Sequence, residues 1–181
     1  MGFSRKTIYV ITGGPGSGKS TIIHALEKKG FLCNNEFARD IIKEQKKKGG
    51  KILPCINRLK FHELILQKRI EQYEDIPEGK ICFSDRGIPD LIGYLINYGI
   101  EVPDKYYRLG KKYRYQDTVF FAPPWRELFK KDSERKETFD EAVDISDKIY
   151  DVYKDLDYNI LTIPKVSVND RVEFILSNIH Q

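Results

Sequence analysis

This 181-residue chain holds only three cysteines, Cys33, Cys55 and Cys82, odd in number and widely spaced. That excludes a disulfide framework and a zinc ribbon, and it suits reduced thiols. Histidine is equally scarce. His24, His62 and His180 have no metal-ligand spacing, and His62-Glu63 lacks the second histidine that a zinc protease requires. No apolar stretch approaches the ~18 residues of a membrane span. Residues 1–6 enter the first strand too soon for a signal peptide, and Lys6 stands where the myristoylation pattern needs Ser or Thr. A cytoplasmic protein is therefore expected. Charge of one sign is also missing: 31 Lys and Arg against 27 Asp and Glu leave +4. That suits an anionic ligand but does not by itself indicate nucleic acid.

What is present begins at Gly13-Gly14-Pro15-Gly16-Ser17-Gly18-Lys19-Ser20, a complete G-x-x-x-x-G-K-[ST] phosphate loop. It follows the apolar run Ile8-Tyr9-Val10-Ile11 and precedes the helical pattern that starts at Thr21. That strand-to-helix context gives the motif its meaning. Backbone N–H groups from Gly14 to Thr21 would curl around a polyphosphate, with the helix N-terminus favouring negative charge. Lys19 would reach the β- and γ-phosphates, and the Ser20 hydroxyl would ligate Mg²⁺.

Hydrophobic content of 40% is enough to build the core of one domain over residues 1–181. Strand-like runs fall at residues 7–12, 31–35, 80–84, 118–122 and 159–163, alternating with helical patterns. Apolar residues recur at helical spacing in residues 56–74, 142–156 and 172–179. Ser167 and Asp170 have capping-box-like spacing before the last of these. The alternation predicts an α/β fold: a P-loop NTPase with a five-stranded parallel sheet flanked by helices. In such sheets ligands bind beyond the carboxyl ends of the strands, so residues after each strand should converge.

Asp85 ends the third strand, where a second magnesium-site carboxylate would stand opposite Ser20. The next residue is Arg86 rather than the glutamate that polarises water in ATPase motors. The base-reading Asn-Lys-x-Asp of regulatory GTPases is absent too. An Asp-Arg pair here resembles nucleoside and nucleotide kinases, in which the arginine holds substrate or phosphate. A surface salt bridge is the plainer reading of Arg86. Glu36 follows the second strand, and Arg39 would share its face of a helix opening there. Glu36 could orient an acceptor hydroxyl, or only cap that helix. A charged segment at residues 125–138 resembles a kinase lid, with Arg126 and Arg135 as candidates to close over the transferring phosphoryl group. A solvated helix is the alternative. Trp125 could stack on a base or wedge the lid against the core. Lys43, Lys46, Lys47, Lys48 and Lys51 read as a solvated helix end, and the Tyr-, Lys- and Arg-rich stretch at residues 106–115 as a partly buried helix.

These motifs occur together and in order: residues 11–20, Asn-Glu-Phe-Ala-Arg at 35–39, Phe-Ser-Asp-Arg-Gly-Ile-Pro-Asp at 83–90, Pro-Pro-Trp-Arg at 123–126 and Arg-Val-Glu-Phe-Ile-Leu at 171–176. As a set, over nearly the whole chain, they resemble an AAA-type P-loop family. That family groups the kinase domain of the NAD-biosynthesis regulator NadR with the nucleotide-binding domain of an insect TRPL-trafficking protein. The resemblance implies a thymidylate-kinase-like core that binds ATP or GTP. The leading expectation is a Mg²⁺-dependent kinase of a small nucleoside-like or phosphorylated metabolite, with Glu36, Arg39 and Arg86 on the acceptor. A nucleotide-dependent switch with slow hydrolysis, read by a protein or membrane partner, is the competing one.

Overall fold

A computed structural model describes residues 6–129 and 137–179. Among these residues there are five strands: β1 Ile8–Thr12, β2 Leu32–Asn34, β3 Cys82–Asp85, β4 Thr118–Phe121 and β5 Asn159–Thr162. All pair in parallel, in the order β2-β3-β1-β4-β5. Seven helices connect and cover them among the described residues: α1 Lys19–Lys28, α2 Ala38–Lys47, α3 Arg58–Asp75, α4 Ile88–Asn97, α5 Asp104–Lys112, α6 Phe139–Asp155 and α7 Val168–Ser177.

Sequence pattern and layer agree. β1 and β3 are buried along their whole length, as expected of central parallel strands covered on both faces, whereas the edge strands β2 and β5 are half-exposed. Side chains alternate across the sheet. Ile8, Val10, Cys82 and Val119 join one core with α3 to α6. Tyr9, Ile11, Phe83 and Phe120 join the other with α1 and α7. Burial pushes the Cys33 and Cys82 thiols up to about 12, so both are inert at neutral pH.

The order matters for the site. From the central strand β1 the chain crosses to β2 and β3 on one side, then to β4 and β5 on the other. Loops at the carboxyl ends of β1 and β3 therefore part around a crevice. Local sequence decides where the helices begin. Ser167 Oγ accepts the Asp170 N–H at 3.2 Å to open α7, as its spacing predicts. Thr138 and Glu141 form a full capping box for α6. Helix α2 starts at Ala38, so Glu36 precedes it and does not share a helical face with Arg39. Residues 106–115, from α5 into the turn that follows it, are partly buried as expected: Tyr106, Tyr113 and Tyr115 are in the core, and Arg114 donates to the Leu156 and Asp157 carbonyls. The lysines at residues 43–51 are all exposed.

Candidate functional site

The phosphate loop leaves β1 and winds into α1, with Gly18 at the N-cap in the left-handed region (φ 83°). Lys19 is only 5% exposed. Its Nζ donates to the Gly14 carbonyl at 2.7 Å and to Ser17 Oγ at 3.1 Å. Burial, reinforced by the nearby Arg86 charge, lowers its pKa to about 7, against the pull of Asp85, Asp90 and Glu36. The loop is backed by α6. Gly14 N–H donates to Ser146 Oγ at 3.2 Å, and a Cβ at Gly14 would meet the Ala142 carbonyl oxygen at 2.5 Å. Glycine here is a requirement of close approach.

At the end of β3, Ser20 Oγ donates to Asp85 Oδ2 at 3.0 Å. Asp85 is buried, and its Oδ1 has no hydrogen-bond partner among the described residues. A buried carboxylate oxygen without a donor, beside a hydroxyl, is a hard-oxygen set that fits Mg²⁺. Arg86 follows with φ 76°, a left-handed conformation uncommon outside glycine. Its Nη1 donates to the Gly13 carbonyl at 2.9 Å and to Asp90 Oδ1 at 3.1 Å, and its guanidinium lies over the Tyr94 ring. It is a buried pair inside the site rather than a surface salt bridge.

A cavity of about 700 Å³ opens from the loop. Pro15, Gly16, Gly18, Lys19, Ser20 and Thr21 form one wall, Asp85 and Arg86 another, and Glu36 and Arg39 the side beyond β2. Glu36 Oε1 accepts the Ala38 N–H at 2.8 Å, so its carboxylate caps α2 while it lines the cavity. Sequence reading left these two roles as alternatives, and the structure combines the two positions. Gly14 and Ser17 act from behind: Ser17 Oγ donates to the Gly14 carbonyl at 3.0 Å and steadies the turn.

Past Glu36 the cavity is walled by Phe61, His62, Ile65 and Arg69 of α3 and by Tyr94 and Tyr98. Of these only His62 is considered from the sequence, and there only as a metal ligand that the spacing rejects. Helical spacing over residues 56–74 predicts a buried face of Leu59, Leu66, Ile70 and Tyr73; in α3, Leu66 and Tyr73 are buried together with Phe61, His62, Ile65 and Arg69, while Leu59 and Ile70 are half-buried. A buried His and Arg at helical spacing with Phe61 and Ile65 were the available signal. Burial and then the Arg58 charge hold His62 neutral, with its pKa lowered to about 4. Asp90 was missed as well. It is 1% exposed and accepts from Thr12 Oγ1, Arg86 Nη1, Gly87 N–H and Tyr153 OH.

Other expected residues lie elsewhere. Arg126 is not among the residues lining the cavity. Its side chain is 70% exposed, pairs with Asp140 at 3.4 Å and lies over the Phe139 ring. Trp125 is half-buried against the Arg171 guanidinium. Arg135 and the rest of residues 130–136, the centre of the expected lid, lie outside the described residues. No helix among the described residues is long and apolar enough to cross a membrane.

The same fold occurs in solved kinases. Deoxyadenosine kinase from M. mycoides with dCMP and dCDP bound superposes with a TM-score of 0.66 at 17% identity, over 94% of this chain and 97% of that one. Thymidylate kinase from Ehrlichia chaffeensis gives 0.66 at 17% identity, over 96% and 98%. NadR protein in complex with NR gives 0.66 at 14% identity, over 96% of this chain and 50% of NadR. No curated protein matches the sequence. Residues 8–171, carrying the phosphate loop, the Asp85-Arg86 turn and the Trp125-Arg126 segment, match the AAA domain family, and the chain belongs to that family.

Proposed function

We propose that this protein is a Mg²⁺-dependent phosphotransferase, a cytoplasmic kinase that moves the γ-phosphoryl group of ATP or GTP to a small nucleoside-like or phosphorylated acceptor. One observation carries the reading: the cavity continues from the phosphate loop past Glu36 into a lobe walled by Phe61, His62, Tyr94 and Tyr98. Hydrolysis needs room only for water, whereas an aromatic-walled lobe of this kind suits a planar ring. The fold shared with deoxyadenosine and thymidylate kinases supports the same class.

The loop N–H groups and Lys19 hold the polyphosphate, and the triphosphate's charge restores the proton on Lys19. Ser20 and Asp85 would hold Mg²⁺, which would supply charge neutralisation to the polyphosphate. Glu36 orients the acceptor hydroxyl and takes its proton as the new O–P bond forms and the bond to the β,γ-bridging oxygen breaks. Arg86 and Arg39, which both line the cavity, carry charge on the transferring or acceptor phosphate. Arg126 and Arg135 belong to the lid in this scheme, so Arg126 would have to leave its Asp140 pair on closure.

The test is Mg-ATP and Mg-GTP with a panel of nucleosides and nucleoside monophosphates, reading labelled product. Transfer to at least one acceptor is expected; slow hydrolysis with no acceptor labelled refutes the kinase reading for that panel. Asp85→Asn should lower kcat at least about 100-fold, in line with loss of transition-state charge stabilisation. Near wild-type turnover rejects Asp85 as a magnesium residue. A nucleotide-dependent switch is favoured by one feature, the exposed Lys46, Lys47, Lys48 and Lys51 at the end of α2. Sedimentation with phosphoinositide vesicles that changes with bound nucleotide would support it, and no binding in either state would remove its membrane version.

A further inference from the structure

Arg86 reaches the cavity from a backbone that resists being there. A non-glycine residue at φ 76° costs roughly 1–3 kcal/mol and persists only where its surroundings over-determine it. Here the Arg86 N–H donates to the Ile11 carbonyl at 3.0 Å, and the Arg86 carbonyl accepts from Ser84 Oγ at 2.8 Å. The neighbouring Gly87 N–H goes to Asp90 Oδ2 at 2.8 Å. Asp90 holds the other end of the residue too, through Oδ1 and Arg86 Nη1. Both protons of Nη1 are thereby spent, one on Gly13 and one on Asp90, so neither of these two bonds uses the Nε/Nη2 edge of a residue that lines the cavity.

Asp90 is itself anchored from outside this turn. Thr12 Oγ1, at the end of β1, donates to Oδ1 at 2.7 Å, and Tyr153 OH of α6 donates to Oδ2 at 2.7 Å. Four donors from β1, the β3–α4 turn and α6 thus meet on one carboxylate. We propose that Asp90 is the positioning residue of this site: it locks the turn conformation and the guanidinium of Arg86, so that the Nε/Nη2 edge faces the transferring phosphoryl group. This rests on the phosphotransferase reading. Asparagine cannot replace it, whichever way the amide is flipped. Its NH₂ faces either the Gly87 N–H or Arg86 Nη1, both of which are donors only.

The experiment is a double-mutant cycle on Mg-ATP turnover to water, with no acceptor present, in wild type, Arg86→Gln, Asp90→Asn and the double variant. It therefore reads Arg86 and Asp90 whether or not an acceptor is ever found in the panel above. Each single substitution is expected to lower kcat about 30- to 100-fold while KM for Mg-ATP stays within about 3-fold, since the loop still binds the nucleotide. The double variant should lose no more than about 3-fold beyond the worse single one, because Asp90 acts through Arg86. Losses that multiply, or an Asp90→Asn protein with wild-type kcat, overturn the proposal. Tyr153→Phe keeps the carboxylate and serves if Asp90→Asn does not fold. It should cost about 3- to 10-fold in kcat with Arg86 present and nothing in the Arg86→Gln background. An equal loss in both backgrounds overturns the proposal.

Discussion

Replacing Lys19 by methionine should stabilise the nucleotide-free protein, by an amount that shrinks as pH rises. Burial lowers this amine from its ordinary 10.5 to about 7. A displacement of that size corresponds to about 5 kcal/mol against the charged form. Between about pH 7 and 10.5 the unfolded chain carries a proton on Lys19 that the folded chain has given up. Stability from this residue therefore climbs with pH, by up to about 1.4 kcal/mol per unit, and the full penalty stands below pH 7. Methionine removes the penalty but forfeits two hydrogen bonds, to Gly14 and Ser17, at about 1 kcal/mol each. The variant should be more stable by about 3 kcal/mol at pH 7, and the difference should vanish near pH 9. Urea denaturation of both proteins at pH 7, 8 and 9 reads this directly, because every other titrating group is common to the two. Saturating Mg-ATP should reverse the order, since only the lysine protein gains fully from the bound triphosphate. A stability difference that stays constant from pH 7 to 9 refutes the reasoning, and with it the buried, discharged lysine.

His62 carries the opposite half of the pH profile: with its pKa lowered to about 4, it gives up stability as pH falls from 6.5. The unfolded chain takes a proton there that the folded chain refuses, so about 2 kcal/mol should go between pH 6.5 and 5. His62→Gln should remove that slope in denaturation experiments; an unchanged slope would place the loss elsewhere. Gly13→Ala sets a side chain at φ 134° with its Cβ 2.2 Å from the Ala122 carbonyl oxygen. A loss of about 3 kcal/mol or more is expected, with a matching fall in Tm, and a wild-type melt would contradict the close approach of β1 and β4 at this point.

Much of the architecture was legible because the relevant physics is local. Strand and helix patterns report which side of an element is buried, and the five strands fall within a residue or two of the runs that predicted them. The phosphate loop carries its own geometry in its glycines, and Ser167 its own cap. Glu36 was half legible: proximity to the second strand placed it at the site, but where α2 begins decided that it caps that helix and lines the cavity at once. Arg126 shows the limit from the other side, since its position after the fourth strand said nothing of the Asp140 pair and the Phe139 ring that hold it outward.

By itself, then, the sequence determined a phosphate-loop motif between a strand and a helix, an alternating α/β chain, and an Asp85-Arg86 turn placed at the end of a buried strand. Tertiary structure alone decided what stands across from them. Asp90 meets Tyr153 from 63 residues away, and Gly14 meets Ser146 from 132. The aromatic lobe likewise draws Phe61 and His62 from α3 and Tyr94 from α4. Periodicity fixes the face a residue presents, because that follows from backbone dihedrals a few residues long. The partner that face meets follows from the strand order β2-β3-β1-β4-β5, which depends on how whole layers bury their surfaces.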